Sequence, residues 1–165
     1  MIKVKRIAKE NWKKACQIEL KQEQQKYLAP VAYCLARAYV DPYKEPIEPF
    51  VIMEDNEVVG FFWLTFTDNR TNCVLCGFRI DMRFQGLGYS KLALNQIRKL
   101  LVSDYKDCAA IQLFVEDNNI PAKNLYQGFG FCIVNKYDDG LIHMVYTLKN
   151  SVELKLISID CLDDD

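Results

Sequence analysis

Two short segments carry residue types and spacings suited to chemistry. The first, Gln85-Gly-Leu-Gly-Tyr-Ser90, lies between an apolar run and a stretch whose apolar residues recur at helical spacing. A glycine-rich turn of this kind points backbone N–H groups outward at the positive end of a helix dipole, which suits a phosphate or pyrophosphate. Alone it is weak evidence, because glycines also punctuate ordinary strand-to-helix connections. The second segment, Asn119-Ile-Pro-Ala-Lys-Asn-Leu-Tyr126, follows further along the chain and runs on to Gly130-Phe131. Asn119 is a natural helix N-cap, and Tyr126 read in isolation is a half-buried packing residue. It is the pair of segments, in this order, that points to a site.

Other reactive residue types fit packing better. The seven cysteines, Cys16, Cys34, Cys73, Cys76, Cys108, Cys132 and Cys161, are odd in number, and several fall inside apolar runs, where a thiol acts as a small hydrophobe. Cys73-x-x-Cys76 has a spacing used for zinc or thiol exchange. No second such pair exists, and the only histidine is His143. Within a strand, residues three apart point to opposite faces, so these thiols should diverge. No metal site is expected, and His143 is read as structural.

The elements that must position the two segments follow from pattern. A strand is expected over residues 2–6, then a helix from an Asn11 N-cap to about Gln25, with Trp12, Ala15, Cys16 and Leu20 on one face. A second helix is expected over residues 30–39, opened by Pro30. Residues 41–49 hold three prolines and read as a loop. Strands over 50–53 and 58–66 are joined by a hairpin at Glu54-Asp-Asn-Glu57, and a third covers 73–80. The stretch 89–103 reads as a helix with Ala93, Ile97, Leu100 and Leu101 inward. Residues 109–115 are nearly continuous apolar sequence, the pattern of a strand buried on both faces. A short helix over 121–127 and strands over 131–137 and 141–148, turning at Asp138-Asp-Gly140, complete the order. The succession predicts a mixed α/β domain with helices packed on a central sheet. Residues 1–148 form one domain in this reading. Residues 149–165 are an extension holding a further strand, 152–159, that covers a sheet edge or pairs with a second subunit in a homodimer.

Composition narrows the class. With 165 residues, 50% hydrophobic and 26% charged, the chain suits one soluble globular domain. A net charge of −1 gives no electrostatic footprint for nucleic acid. No apolar run approaches a membrane span, and the first residues lack a signal peptide's apolar centre, so a cytoplasmic setting is expected.

On these motifs the chain resembles the GNAT superfamily of acetyl-CoA-dependent N-acetyltransferases, over roughly residues 1–148. The family's phosphate loop, Gln/Arg-x-x-Gly-x-Gly/Ala, is met by Gln85 and Gly88, and Ser90 departs from it at the last position while remaining small and keeping its N–H. Its later motif, Asn-x-x-Ala-x-x-Leu-Tyr-x-x-x-Gly-Phe, is met by Asn119, Ala122, Leu125, Tyr126, Gly130 and Phe131. Within it, Ile80-Asp-Met-Arg-Phe-Gln-Gly-Leu-Gly and Glu116-Asp-Asn-Asn-Ile-Pro-Ala look most like bacterial spermine/spermidine acetyltransferases. The resemblance implies a mostly antiparallel sheet with two splayed parallel strands and about four helices.

It implies also that acetyl-CoA is the co-substrate. Its pyrophosphate would be held by Gln85, Gly86, Leu87, Gly88, Tyr89 and Ser90, and its pantetheine arm would pair with Phe78, Arg79 and Ile80. Asn119 would touch that arm, and Tyr126 would protonate the departing thiolate. The acceptor would be a small primary amine, spermine or spermidine by the narrower likeness, held in an acidic cleft. Two alternatives stand beside it: acetylation of a protein N-terminus or lysine, and a CoA-binding module without turnover. A primary alkyl ammonium must lose its proton before it attacks, at a cost of about 4–5 kcal/mol at neutral pH, whereas an α-amine needs only about 1 kcal/mol. Polyamine acetyltransferases often place an acid where Cys76 stands here. Glu116 and Glu23 are therefore the candidates for general base, with Asp81, Asp117, Glu19, Glu45 and Glu48 as further nearby acids.

Overall fold

Runs of β-branched and aromatic residues between turn-forming ones make strands the dominant element of the chain. The computed structural model describes residues 1–40, 46–67 and 70–148. Seven strands form one sheet: β1 Ile2–Arg6, β2 Glu48–Glu54, β3 Glu57–Thr67, β4 Asn72–Ile80, β5 Ala110–Glu116, β6 Cys132–Lys136 and β7 Leu141–Thr147. Their order across the sheet is β1-β2-β3-β4-β5-β7-β6, and every neighbouring pair is antiparallel except β4 and β5. The helices are α1 Trp12–Ala15, α2 Val31–Val40, α3 Tyr89–Asp104 and α4 Ile120–Phe129, with 3₁₀ turns at Gln22–Tyr27 and Met82–Phe84. This is the mixed α/β architecture expected, with both hairpins where the turn residues placed them.

Strand alternation sends side chains to two cores. Ile111, Leu113, Ile142 and Met144 face α3 and α4, where Ala93, Leu94, Ile97, Leu101 and Tyr126 close the larger core. Val51, Met53, Val58 and Phe61 face the other way and are covered by Ala15 of α1 and by Val31 and Cys34 of α2. Cys73 belongs to the first core, while Cys76 is half-buried, so the two thiols do diverge.

Two irregularities shape the middle of the sheet. Strands β4 and β5 pair only through Asn72↔Ala110, Cys73↔Ile111 and Val74↔Gln112. Beyond these rungs they splay, leaving a slot between residues 75–80 and 113–116. On its other side β4 carries a bulge: Arg79 pairs with Phe61 and Cys76 with Trp63, so Gly77 and Phe78 together oppose one residue. Gly77 takes φ +60, and a Cβ there would stand 2.1 Å from the Trp63 ring. Only glycine fits beneath that indole.

The first helix is shorter than expected. It ends after Ala15, and residues 16–21 leave the helical path. The Asn11 amide does not cap it; its oxygen accepts from the Ala8 N–H and its nitrogen donates to the Arg6 carbonyl. The Glu19 N–H donates to Asp81 Oδ2 and the Glu19 carbonyl accepts from Met82 N, at 3.3 and 2.8 Å. These tertiary bonds draw the segment onto the end of β4 and override the helical periodicity. Trp12, expected inward, lies 42% exposed with Lys13 over its ring. The further strand read at 152–159, and Glu45, lie outside the described residues.

Candidate active site

The glycine turn lies where a strand gives way to a helix. Asp81 follows β4 as the cap of the Met82–Phe84 turn and is wholly buried, accepting hydrogen bonds from the Arg83 N–H and guanidinium at 2.9 Å. Burial alone would raise its pKa. The Arg83 bonds and the Glu19 N–H outweigh that and hold the carboxyl below its usual range. Asp81 is therefore a brace and not a base. Gln85 braces the turn as well, donating to the Ile80 carbonyl and exchanging hydrogen bonds with Gln24 of the 3₁₀ turn. Gly86 and Gly88 follow with φ of +81 and +78, and nothing lies within 4 Å of where a Cβ would be. Gly88 is the N-cap of the sixteen-residue α3. Left-handed glycines, open space and a long helix N-terminus together form a cradle that fits a diphosphate.

A cavity of about 280 Å³ opens over this cradle, lined by Gln85, Gly86, Gly88, Tyr89 and Ser90, by Phe78, Arg79 and Ile80 of β4, and by Asn119, Pro121, Leu125 and Tyr126. Leu87 turns away and is 59% exposed. A second cavity, about 350 Å³, continues along β4 past Cys76, Gly77 and Trp63 to α2 and the ends of β5 and β7. The two share Tyr27, Leu28, Phe78, Arg79, Asn119, Ala122 and Tyr126. They thus meet at the slot between the splayed strands.

At that junction Asn119 caps α4, its side-chain oxygen accepting from the Ala122 N–H. Tyr126 is held edge-on to Phe131 at 5.6 Å and tilted against Phe78 at 6.4 Å. Burial, with the neighbouring Cys76 thiol adding to it, pushes the Tyr126 phenol well above its ordinary pKa. It is thus protonated at neutral pH and available as a proton donor.

The acids divide sharply. Glu116, one of the two carboxylates read as a general base, lines the second cavity from the end of β5. Glu23 lies exposed on the 3₁₀ turn and lines neither cavity. Asp117 is tied to Lys123, whose hydrogen bond holds the carboxyl below its usual pKa. Glu48 is buried between Arg6 and Arg70 at 2.7 and 2.9 Å, away from both cavities. The acidic cleft expected of the second cavity is not what the described residues form. Their charged side chains there are Glu116 against Arg37 and Arg79, set among Tyr27, Tyr33, Trp63, Phe78 and Phe114. Sequence reasoning missed that aromatic wall, because a tryptophan or phenylalanine inside an apolar strand carries no mark of facing a cavity.

A family model described as acetyltransferase (GNAT) family matches residues 4–131. The chain belongs to the GNAT acetyltransferase family. It is 32% identical over 136 residues to the spermine/spermidine N(1)-acetyltransferase of Bacillus subtilis (strain 168), covering 79% of this chain and 87% of that protein. Among solved structures, the Vibrio cholerae spermidine N-acetyltransferase in complex with CoA and spermine superposes with a TM-score of 0.71 at 13% identity, over 89% of this chain and 95% of that one. The Escherichia coli ribosomal-protein-S18-alanine N-acetyltransferase does so with 0.67 at 18%, over 96% and 100%. These last two show a shared fold. The GNAT chain is thus an N-acetyltransferase, and acetyl-CoA is the donor that its family uses. No helix among the described residues is long and apolar enough to cross a membrane.

Proposed function

We infer that this chain transfers an acetyl group from acetyl-CoA to a small primary amine by direct attack on the thioester. The observation that carries the reading is the junction of the two cavities at Phe78, Asn119 and Tyr126, directly over the slot between β4 and β5. The cradle from Gln85 to Ser90 supports a seat for the diphosphate, and the open edge of β4 from Phe78 to Ile80 supports strand-like pairing with the pantetheine amides. The thioester would then lie beside Tyr126. A departing thiolate has a conjugate pKa near 8.5, so a protonated phenol suffices to quench it. Glu116 is the carboxylate placed to accept the amine's proton, directly or through water.

Spermine and spermidine are the first acceptors to measure, because the relatives matched in sequence carry those substrates in their names. The test is thiol release from acetyl-CoA with and without a panel of primary amines. Release that depends on an added amine supports the reading. Binding of acetyl-CoA with no release for any amine or peptide would reduce the chain to a CoA-binding module.

A further inference from the structure

The second cavity contains a charge that neither the phosphate cradle nor the proposed proton transfers at Tyr126 and Glu116 use. Arg79 is 4% exposed in the wall common to both cavities. Its guanidinium donates to the Gly77 carbonyl at 2.9 Å, to the Ala29 carbonyl at 2.6 Å and to the Cys34 sulphur at 3.9 Å, and it lies 5.7 Å from the Phe61 ring centre. No carboxylate is among these partners. A buried cation without a counter-charge is costly, and its field reaches further than that of a solvated one. Guanidinium stays protonated even where burial pulls its pKa down, as it does here.

We propose that Arg79 is a specificity-determining residue, whose buried charge makes the acceptor cavity favour weakly basic α-amines over alkyl polyamines. This rests on the acetyltransferase reading above and narrows its acceptor. A unit charge about 8 Å from a bound ammonium, at an effective dielectric near 20, lowers that ammonium's pKa by about one unit or more. The site thereby assists deprotonation without an acid at Cys76, and it repels a chain of ammonium groups. Among the described residues, the other charged or titratable groups lining the cavity are Tyr33, Cys34 and Arg37 of α2, Tyr27 of the 3₁₀ turn, Cys76 of β4, Glu116 of β5 and Tyr126 of α4. Of these only Glu116 opposes Arg79 in sign at neutral pH, and it is exposed to solvent at the strand end.

The experiment is kcat/KM at pH 7, from thiol release, for amino-acid amides with amine pKa near 8 and for diamines and polyamines near 10.4. Arg79→Met should raise kcat/KM for the polyamines relative to the amides by about tenfold, because a repulsion that lowers one ammonium's pKa by a unit weakens the seating of each further ammonium by the same factor. In Arg79→Met the acid limb of the kcat profile for one diamine should move up by about one pH unit, and in Arg79→Lys it should stay within a few tenths. Equal or faster turnover of spermidine by the wild type, or an unmoved limb in folded Arg79→Met, overturns this inference and leaves the acetyltransferase reading intact. Should Arg79→Met fail to fold, Arg79→Gln, which also removes the charge, is read by the same two measurements. No turnover with any amine overturns both readings.

Discussion

At the scale of single residues, Tyr126 and Asp81 show how burial assigns roles to similar chemistry. Tyr126→Phe keeps the ring packing against Phe78 and Phe131 and removes only the hydroxyl. Turnover should fall by about a hundredfold or more, the lower end of what a positioned general acid contributes, while acetyl-CoA affinity by calorimetry stays within about twofold. Because its pKa is raised, the phenol contributes no falling limb to the rate profile between pH 8 and 10. Asp81 behaves oppositely, since its folded pKa is depressed. Its stabilisation is present above the unfolded carboxyl value near 3.9 and disappears as pH falls through the folded value. Asp81→Asn should therefore cost about 2–3 kcal/mol in urea unfolding at pH 7, with the gap to wild type closing below about pH 4. The sequence showed Asp81 as one acid among several near the turn. Its burial and its grip on Glu19 are set by chain that lies far away in sequence, so no local pattern could distinguish it from Glu116.

At the scale of elements, the sheet was legible because its strands are bounded by strong turn residues, and α3 because its apolar spacing runs over four turns. The first helix was not, since Glu19 bonds to Asp81 and Met82 and no periodicity reports that. The β4 bulge was equally invisible, although it sets Gly77 against the Trp63 ring and so shapes the second cavity. Gly77→Ala should destabilise the fold by about 3 kcal/mol, combining positive-φ strain with the clash against the indole. In a double-mutant cycle with Trp63→Ala, the clash disappears, and the two changes should couple by more than about 1 kcal/mol. Additive costs would mean that the ring does not lie over Gly77.

At the scale of the whole molecule, ligand occupancy and global stability are one equilibrium. Acetyl-CoA at a hundredfold excess over its Kd should stabilise the fold by about 2.7 kcal/mol, raising Tm by roughly 5–11 °C in a scanning fluorimetry titration. An unchanged Tm at that concentration would remove the cradle from the binding site. The family and its donor were legible because two motifs fall at the right places on the chain. The second cavity was not, because the charges and rings that line it come from the Gln22–Tyr27 turn, α2, β3, β4 and β5, five separate stretches. The three rungs joining β4 to β5 carry a mechanical corollary. They are the short seam that joins β1–β4 to β5–β7 within the one sheet. A cofactor arm bonded along the free edge of β4 would lengthen that seam, and loading the donor would then tighten the molecule before any chemistry. Deuterium uptake across residues 75–80 should fall on loading, and its recovery after acyl transfer would time the departure of the spent carrier.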